Sequence, residues 1–583
     1  MKKKREKEEP RIPNNPLNRI AICMSGGGYR SAVFQLGILS YLNSVKYGEN
    51  TLLNHVKAIS TVSGGTITGV TYSSMLAKGL NFETIYNTLL GWLSKKDLVQ
   101  EGLEKVSKDG VWNHTYKRKN LINAFAELYD ESLTNGMCLG DLDGIWNKSH
   151  LEYVCFNATE FKKGLRFRFQ IAKGARQSYV GAYELNLKKQ VYHEIRLSDI
   201  VASSSAFSGG FEPIAMPSDF FGPDSEHNSY FESHSGYQGT SIGLMDGGIY
   251  DNQGISSIED FQDNAKEHQF DLIMICDVSS PYIDAFSFVS EKSGEVREMT
   301  INQLLASYER KKRIFYYSLW FFTLAGLVFA LLDIELLTWR FGVGISITGI
   351  GIGTIVIYHI LKSMLKVRVN NTWNYLKQLI PDFFEKRLPS FKLEHFKLKH
   401  LEILALDRFN SLKLLLPTVF LKQIRRLHYN RIYEDDAYSY RRMTCLVKEL
   451  TKLDFKKKIE EDYSKASKNL SMLKGNDYDE IMGEKLVGHI DEAATFGTTL
   501  WFTDSDKLNE ILVSLLISGQ VTCCQNLMIY LDKLIYTKGN GFEKLDREAK
   551  NGLEALYNKT KEDWMKFKDD PGFLHNSLFN PET

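Results

Sequence analysis

The sequence predicts an α/β fold, and a pattern that occurs twice near its start carries that expectation. Arg19 to Met24 is an apolar run that stops at Ser25 and three glycines, and a helix with an apolar face of Ala32, Val33, Leu36, Ile38 and Leu39 is expected from about Tyr29 to Val45. His55 to Val62 then reads as a second strand, Ser63-Gly64-Gly65 as its turn, and Thr66 to Lys78 as the next helix. Strand, glycine turn and helix in succession mark an alternating α/β chain.

Further elements follow in order. Phe82 to Asp143 is helical by pattern, with Ile85, Leu89, Leu90 and Leu93 on one helix face and Leu121, Ile122, Phe125 and Leu128 on a later one. Strands resume at Leu151 to Asn157 and Arg166 to Ala172; Leu244-Met245 leads into Asp246-Gly247-Gly248, and Leu272 to Cys276 is another buried strand. Continuous apolar strands of this kind fit a mainly parallel sheet covered on both faces.

Past Leu304 the composition changes. Ile314 to Leu332 and Phe341 to Leu361 contain no Asp, Glu, Lys or Arg, and each has roughly the 20 residues that cross a hydrocarbon core of roughly 30 Å. Two such spans joined by Asp333 to Arg340 make a transmembrane hairpin; the competing reading is a pair of buried core helices. Arg310, Lys311, Lys312 and Arg313 before the first span, and Lys362, Lys366 and Arg368 after the second, put both outer ends on the cytoplasmic side. Gly342/Ser346, Gly344/Thr348 and Gly349/Gly353 are small residues spaced for close helix contact. Beyond the hairpin, Leu401 to Leu406 reads as one more short strand and the rest as helical to about Lys568, with Lys456 to Lys468 a solvated helix face or linker. The expected organisation is a charged tail (1–16), a catalytic domain (17–290), the membrane hairpin (291–370) and a helical region (371–583) partly packed on the catalytic domain.

The 72 basic and 71 acidic residues leave a formal charge of +1, so no global field draws nucleic acid. Cys23, Cys138, Cys155, Cys276, Cys445, Cys523 and Cys524 lack metal-ligand spacing and make a poor disulfide framework, which points to a reducing compartment. Met1 to Glu9 mixes Lys and Glu and no apolar segment follows it, so a solvated tail is expected rather than a secretory signal.

Acyl transfer requires a nucleophile, a base and donors for the developing oxyanion. Thr61-Val62-Ser63-Gly64-Gly65 places a serine between strand and helix, where small neighbours permit a sharp elbow; the usual pattern has glycine two before the serine, and here that position is Thr61. The rival reading of such a serine, taken alone, is a plain strand-to-helix turn or a helix N-cap. Gly26-Gly27-Gly28 lets backbone N–H groups converge at a helix start, and with Gly64 it is the candidate oxyanion hole. A nucleotide-phosphate loop is the rival reading, but Arg30 and Ser31 break the GxGxxG pattern and no Walker-type Lys-Ser/Thr follows. Arg30 either steadies the loop or meets a lipid phosphate. Asp246, ahead of Gly247 and Gly248 at a strand end, is the candidate base.

Together these residues resemble the patatin-like phospholipase family. The likeness rests on GGGYR at Gly26 to Arg30, VSGG around Ser63, Asp246-Gly247-Gly248, and SDIVASSSAFSGGFEPI at Ser198 to Ile214, similar to the family's segment beside the acyl pocket. Phe156 to Glu160 and Thr498 to Trp501 are further likenesses. The resemblance runs from Leu17 to Val278, and more weakly from Leu401 to about Leu534. It implies a three-layer α/β/α domain with a Ser63/Asp246 dyad, oxyanion donors among Gly26, Gly27, Gly28 and Gly64, and support from Arg30, Gly65, Gly247 and Gly248. No histidine, metal or cofactor enters that scheme. The expected protein is an integral membrane lipid acyl hydrolase, a phospholipase or lysophospholipase, with its catalytic domain and termini in the cytoplasm. A non-catalytic lipid-binding scaffold and an acyltransferase using the same dyad are the alternatives. Nothing in the sequence fixes the oligomeric state.

Overall fold

The computed structural model describes residues 12–108, 111–174, 178–182, 185–228, 231, 241–264, 269–279, 290, 293–332, 338–378, 397–420, 422–423, 429, 432–458, 468–473, 477–508 and 510–579. Most of the expected charged tail, residues 333–337 of the hairpin turn and residues 459–467 of the charged run lie outside these. The chain divides into two units, Met1–Ile283 with Pro417–Thr583, and Asp284–Leu416.

The first unit is built on one ten-stranded sheet. Its early elements are β1 (Ile20–Met24), α1 (Gly28–Ser44), β2 (Val56–Val62) and α2 (Gly64–Ala77), each close to the expected bounds. Helices α3 (Phe82–Lys95), α4 (Leu98–Ser107) and α5 (Leu121–Tyr129) fill the region read as helical. Next come β3 (Tyr153–Glu160), β4 (Leu165–Ala172), β5 (Tyr179–Ala182), β6 (Leu185–Asn186), α6 (Leu197–Ser205), β7 (Ile214–Met216), β8 (Ile242–Asp246), β9 (Leu272–Asp277) and β10 (Arg442–Leu446). The strand order is β10-β9-β1-β2-β3-β4-β5-β6, with β8 pairing β3 and β7. The centre, β10 to β3, is parallel, as expected for strands buried on both faces. From β3 onward the neighbours are antiparallel.

Two short segments differ from the sequence reading. Leu401 to Leu406, expected as a strand, lies inside the helix Leu398–Leu414. A short apolar run satisfies either period, and here the flanking residues extend it as helix. The strand that does complete the sheet is β10, in which Met443 and Cys445 are buried and Arg442, Thr444 and Leu446 half-buried. That weak alternation suits a short edge strand and was hidden in a region read as helical.

The helix Ile511–Tyr536 covers α1 at close range. A Cβ at Gly37 would stand 2.3 Å from the Leu516 carbonyl oxygen, and one at Gly519 2.3 Å from that of Phe34, so the crossing needs glycine on both helices.

The second unit contains the helices Ile301–Leu331 and Trp339–Gln378. Thr300 and Gln303 form a reciprocal capping box at the first, with hydrogen bonds of 2.9 and 3.2 Å. A bridge pairs Thr300 with Lys397, and Arg297 pairs with Glu402, joining the chain that enters the helices to the chain that leaves them. Of the three small pairs, only Gly344/Thr348 faces the other helix: a Cβ at Gly344 would be 2.6 Å from Ala330 N, whereas Gly342, Gly349 and Gly353 have nothing within 4 Å. Gly351 completes that face, with Thr323 Oγ1 2.1 Å from its would-be Cβ.

Three helices among the described residues are long and apolar enough to cross a membrane: Asn302–Leu331, Trp339–Ile360 and Ile511–Tyr536. Their most apolar stretches are 17%, 11% and 83% buried, respectively, so the third spends its apolar surface inside the fold.

Candidate active site

Ser63 occupies the single residue between β2 and α2, at φ 50° and ψ −119°. This lies outside the left-handed helical well, and a non-glycine residue held there carries roughly 1–3 kcal/mol of strain. A chain of hydroxyls secures it. Ser63 N–H donates to Ser204 Oγ on α6 (2.9 Å), and Ser204 Oγ donates to the Asn157 carbonyl on β3 (2.7 Å). Each hydroxyl has one proton, so Thr66 must donate to Ser204 (2.8 Å) and Thr61 to Thr66 (2.9 Å). Thr61, where a nucleophile elbow usually has glycine, finds room because Gly69 on α2 lies opposite. A Cβ on Gly69 would come within 2.5 Å of Thr61 Cγ2.

Strand β3 brings Asp246 to this elbow. On one side of β3, Val62 at the end of β2 pairs with Asn157, and on the same side Asp246 at the end of β8 pairs with the next residue, Ala158. The two strands meet end to end, and their terminal residues occupy adjacent rungs. Ser63 and Asp246 are each 8% exposed. Asp246 is held by its own N–H to the Ala206 carbonyl (2.9 Å), by Thr159 Oγ1 donating to its carbonyl (2.9 Å), and by Gly248 N–H donating to its Oδ1 (2.6 Å). Gly247 passes so near β3 that a Cβ would be 2.4 Å from the Asn157 carbonyl oxygen.

The glycine loop presses on the elbow from the other side. A Cβ at Gly26 would stand 3.1 Å from Ser63 Cβ, one at Gly64 2.0 Å from the Gly28 carbonyl oxygen, and one at Gly65 2.6 Å from that of Met24. Gly28 and Gly64 are the first residues of α1 and α2, where N–H groups have no intrahelical acceptor and the helix ends are electropositive. Gly26 differs from the other expected donors: its N–H is committed to the Asn252 carbonyl at 3.0 Å. Its contribution is close approach to Ser63 rather than a free donor.

A segment far along the chain closes the loop. Tyr29 N–H donates to the Thr499 carbonyl (2.8 Å), whose oxygen would be 2.2 Å from a Cβ on Gly28. Arg30 Nη1 donates to the Phe496 carbonyl (2.7 Å). Burial pushes the Arg30 guanidinium below its ordinary pKa, with Asp277 acting in the opposite direction.

Beneath the elbow, Asn157 Nδ2 donates to Ser60 Oγ (2.9 Å) and to the Thr61 carbonyl (3.0 Å), while Ser257 donates to Asn157 Oδ1 (2.6 Å). Sequence reasoning identified the segment holding Asn157 but not its role, and missed Ser204 and Asn252. Three consecutive serines, Ser203 to Ser205, offer no local sign of which one faces the elbow. His150, His489 and His575 are bonded elsewhere, to Tyr72, Ser514 and Tyr86.

Residues 22–257, which include the glycine loop, Ser63 and Asp246, match the family model described as patatin-like phospholipase. The weaker likeness expected from Leu401 to Leu534 lies outside that match. Among solved structures, the human GIVD cytosolic phospholipase A2 is similar at 12% identity and a TM-score of 0.31, over 45% of this chain and 45% of that one; at that score the likeness carries no argument. No curated protein matches.

Proposed function

From the match of residues 22–257 to the patatin-like phospholipase family model we propose that the protein is a membrane-anchored lipid acyl hydrolase, a phospholipase or lysophospholipase, acting through Ser63 and Asp246. The observation that carries this reading is the adjacent-rung placement of the two residues along β3, one on a strained elbow and the other at a strand end.

Asp246 takes the hydroxyl proton as Ser63 Oγ attacks the ester carbonyl carbon. Charge developing on the carbonyl oxygen is met by the N–H groups of Gly27, Gly28 and Gly64 at two helix starts. Collapse of the adduct breaks the bond to the alcohol oxygen, which receives the proton from Asp246 and leaves, and Ser63 keeps the acyl group. Asp246 then takes a proton from water, the water oxygen attacks the acyl carbon, and the proton returns to Ser63 as the fatty acid departs. Gly65, Gly247 and Gly248 permit the close packing, and Arg30 steadies the glycine loop.

The helices Asn302–Leu331 and Trp339–Ile360 act as the membrane anchor, and their basic flanks put the catalytic unit on the cytoplasmic side. An anchored enzyme meets bilayer lipid at high effective concentration. Ser63→Ala and Asp246→Asn are each expected to abolish fatty-acid release from phospholipid vesicles at unchanged expression, and a fluorophosphonate should label the parent chain but not Ser63→Ala. Full activity in either purified variant refutes the assignment. Adding lysolipid or alcohol and analysing the products separates hydrolysis from acyl transfer.

A further inference from the structure

We propose that the turn Phe161 to Lys163, together with Phe207, is a docking surface for an anionic lipid bilayer that seats the candidate active site on its substrate; this deepens, and rests on, the lipid-hydrolase reading.

The turn joins β3 to β4 and is built rigidly. Glu160 is fully buried, and its carboxylate accepts the backbone N–H groups of Lys162 (2.9 Å) and Lys163 (2.8 Å). Gly164, at φ 66°, returns its N–H to the Glu160 carbonyl at 3.0 Å, and Phe161 N–H donates to the Gly243 carbonyl at 2.8 Å. With the backbone fixed, the side chains are turned outward: Phe161 is 64% exposed, and Lys162 and Lys163 are exposed beside it. A tight turn of this kind accepts a polar residue, so the fold does not require phenylalanine there.

A second aromatic residue lies on the neighbouring loop, residues 207–213. Phe207 is 48% exposed and rests edge-on against Phe211 at 5.1 Å, which packs on Phe125 of α5 at 5.0 Å. Gly243 links loop and turn, since a Cβ there would be 3.1 Å from Pro213 Cβ and 3.4 Å from Phe161 Cβ. The Ala206 carbonyl, one residue before Phe207, accepts the Asp246 N–H, so the loop is continuous with the candidate site.

Direction and charge indicate the occupant. Asp246 is level with Ala158, and β3 continues in the same direction to Phe161, so the tip stands roughly 10 Å beyond the candidate dyad at about 3.3 Å per residue. Exposed aromatic rings beside lysines match the interfacial zone of a bilayer, where rings sit at headgroup depth and cations meet anionic lipid. Arg118, with its side chain half exposed, donates to the Pro213 carbonyl (2.8 Å) and is ion-paired to Asp219 (2.7 Å).

The test uses the full chain in phosphatidylcholine proteoliposomes with and without phosphatidylserine, alongside a soluble p-nitrophenyl butyrate assay. Phe161→Ala is expected to lower turnover of bilayer phospholipid roughly tenfold, given the apolar area withdrawn from lipid, and to leave the soluble ester unaffected. Lys162→Gln with Lys163→Gln is expected to remove stimulation by phosphatidylserine. Unchanged bilayer turnover in the phenylalanine variant, or equal loss on both substrates, overturns the proposal. Brominated phospholipid should also quench the emission added by Phe161→Trp, and absence of that quenching overturns docking whether or not the chain hydrolyses anything. An inert parent chain would refute the hydrolase reading alone, leaving the quenching to decide the docking.

Discussion

Replacing Ser204 by alanine probes whether the elbow is held from behind. Ser204 is fully buried on α6 and accepts the Ser63 N–H at 2.9 Å. Its removal orphans a buried donor, at a cost of about 1–3 kcal/mol. The strain of the Ser63 backbone is of the same order, about 1–3 kcal/mol, so the lost bond is large enough to let the elbow relax. Taking about 2 kcal/mol for the loss, and about 1.4 kcal/mol per tenfold in rate, Ser204→Ala should lower kcat roughly 30-fold. KM should hold, because Ser204 lies behind the elbow. Turnover of a soluble ester at saturation gives kcat, and thermal unfolding of the full chain in detergent gives the accompanying loss of stability. A variant with lowered stability and parental kcat, or one changed only in KM, would refute the reasoning.

Glu127 provides a pH test. Burial alone would raise its pKa, but the His114 ring 3.5 Å away, hydrogen bonds from the backbone N–H groups of His114 and Asn113, and the Lys105 ammonium outweigh that and hold it at about 2. Its folded pKa lies below the unfolded one, so the stabilisation is present above about pH 4.5 and disappears as pH falls through about 2. For a side chain with 0% exposure, a shift of this size is worth roughly 3 kcal/mol; Glu127→Gln should therefore be less stable by that order at pH 7, with the gap to the parent closing towards pH 2. A gap independent of pH would exclude the linkage. For the anchor, replacing 314–332 and 341–361 by polar linkers should move the chain from the carbonate-washed membrane pellet to the supernatant while preserving soluble-ester turnover. Retention in the pellet would show that the hairpin is not what holds it.

The elements with unmistakable local signals were legible. β1, β2 and their helices were visible because an apolar run, a glycine turn and an apolar helix face reinforce one another. Ser63, Asp246 and the glycines were visible as residue types at turns, and the register of β3 places the elbow and the strand end together. What remained hidden depends on neighbours distant in sequence. Ser204 is marked only by meeting Ser63, Gly69 only by making room for Thr61, and Asn252 only by accepting the Gly26 N–H. The small pairs of the second span were ambiguous for the same reason, since spacing finds Gly344/Thr348 and Gly349/Gly353 alike, and only contact with the other helix separates them.

Asn252 lies within the family match, but the segment that closes the glycine loop does not. The unit Asp284–Leu416 interrupts the chain after β9, and the chain that returns adds β10 parallel to β9 and then lays Phe496 to Thr499 against Gly28 to Arg30. At Gly28 the contact is backbone to backbone, with the Thr499 carbonyl oxygen 2.2 Å from where a Cβ would stand and the Tyr29 N–H bonded to the same oxygen. The conformation of the loop is therefore fixed from two directions, by the elbow on one side and by the returning chain on the other. Residues 22–257 contain every group assigned a chemical step, yet their geometry at Gly28 is imposed by residues more than two hundred positions further on. The unit that holds the candidate site is consequently discontinuous in sequence, and Pro417–Thr583 belongs to it rather than to a separate module.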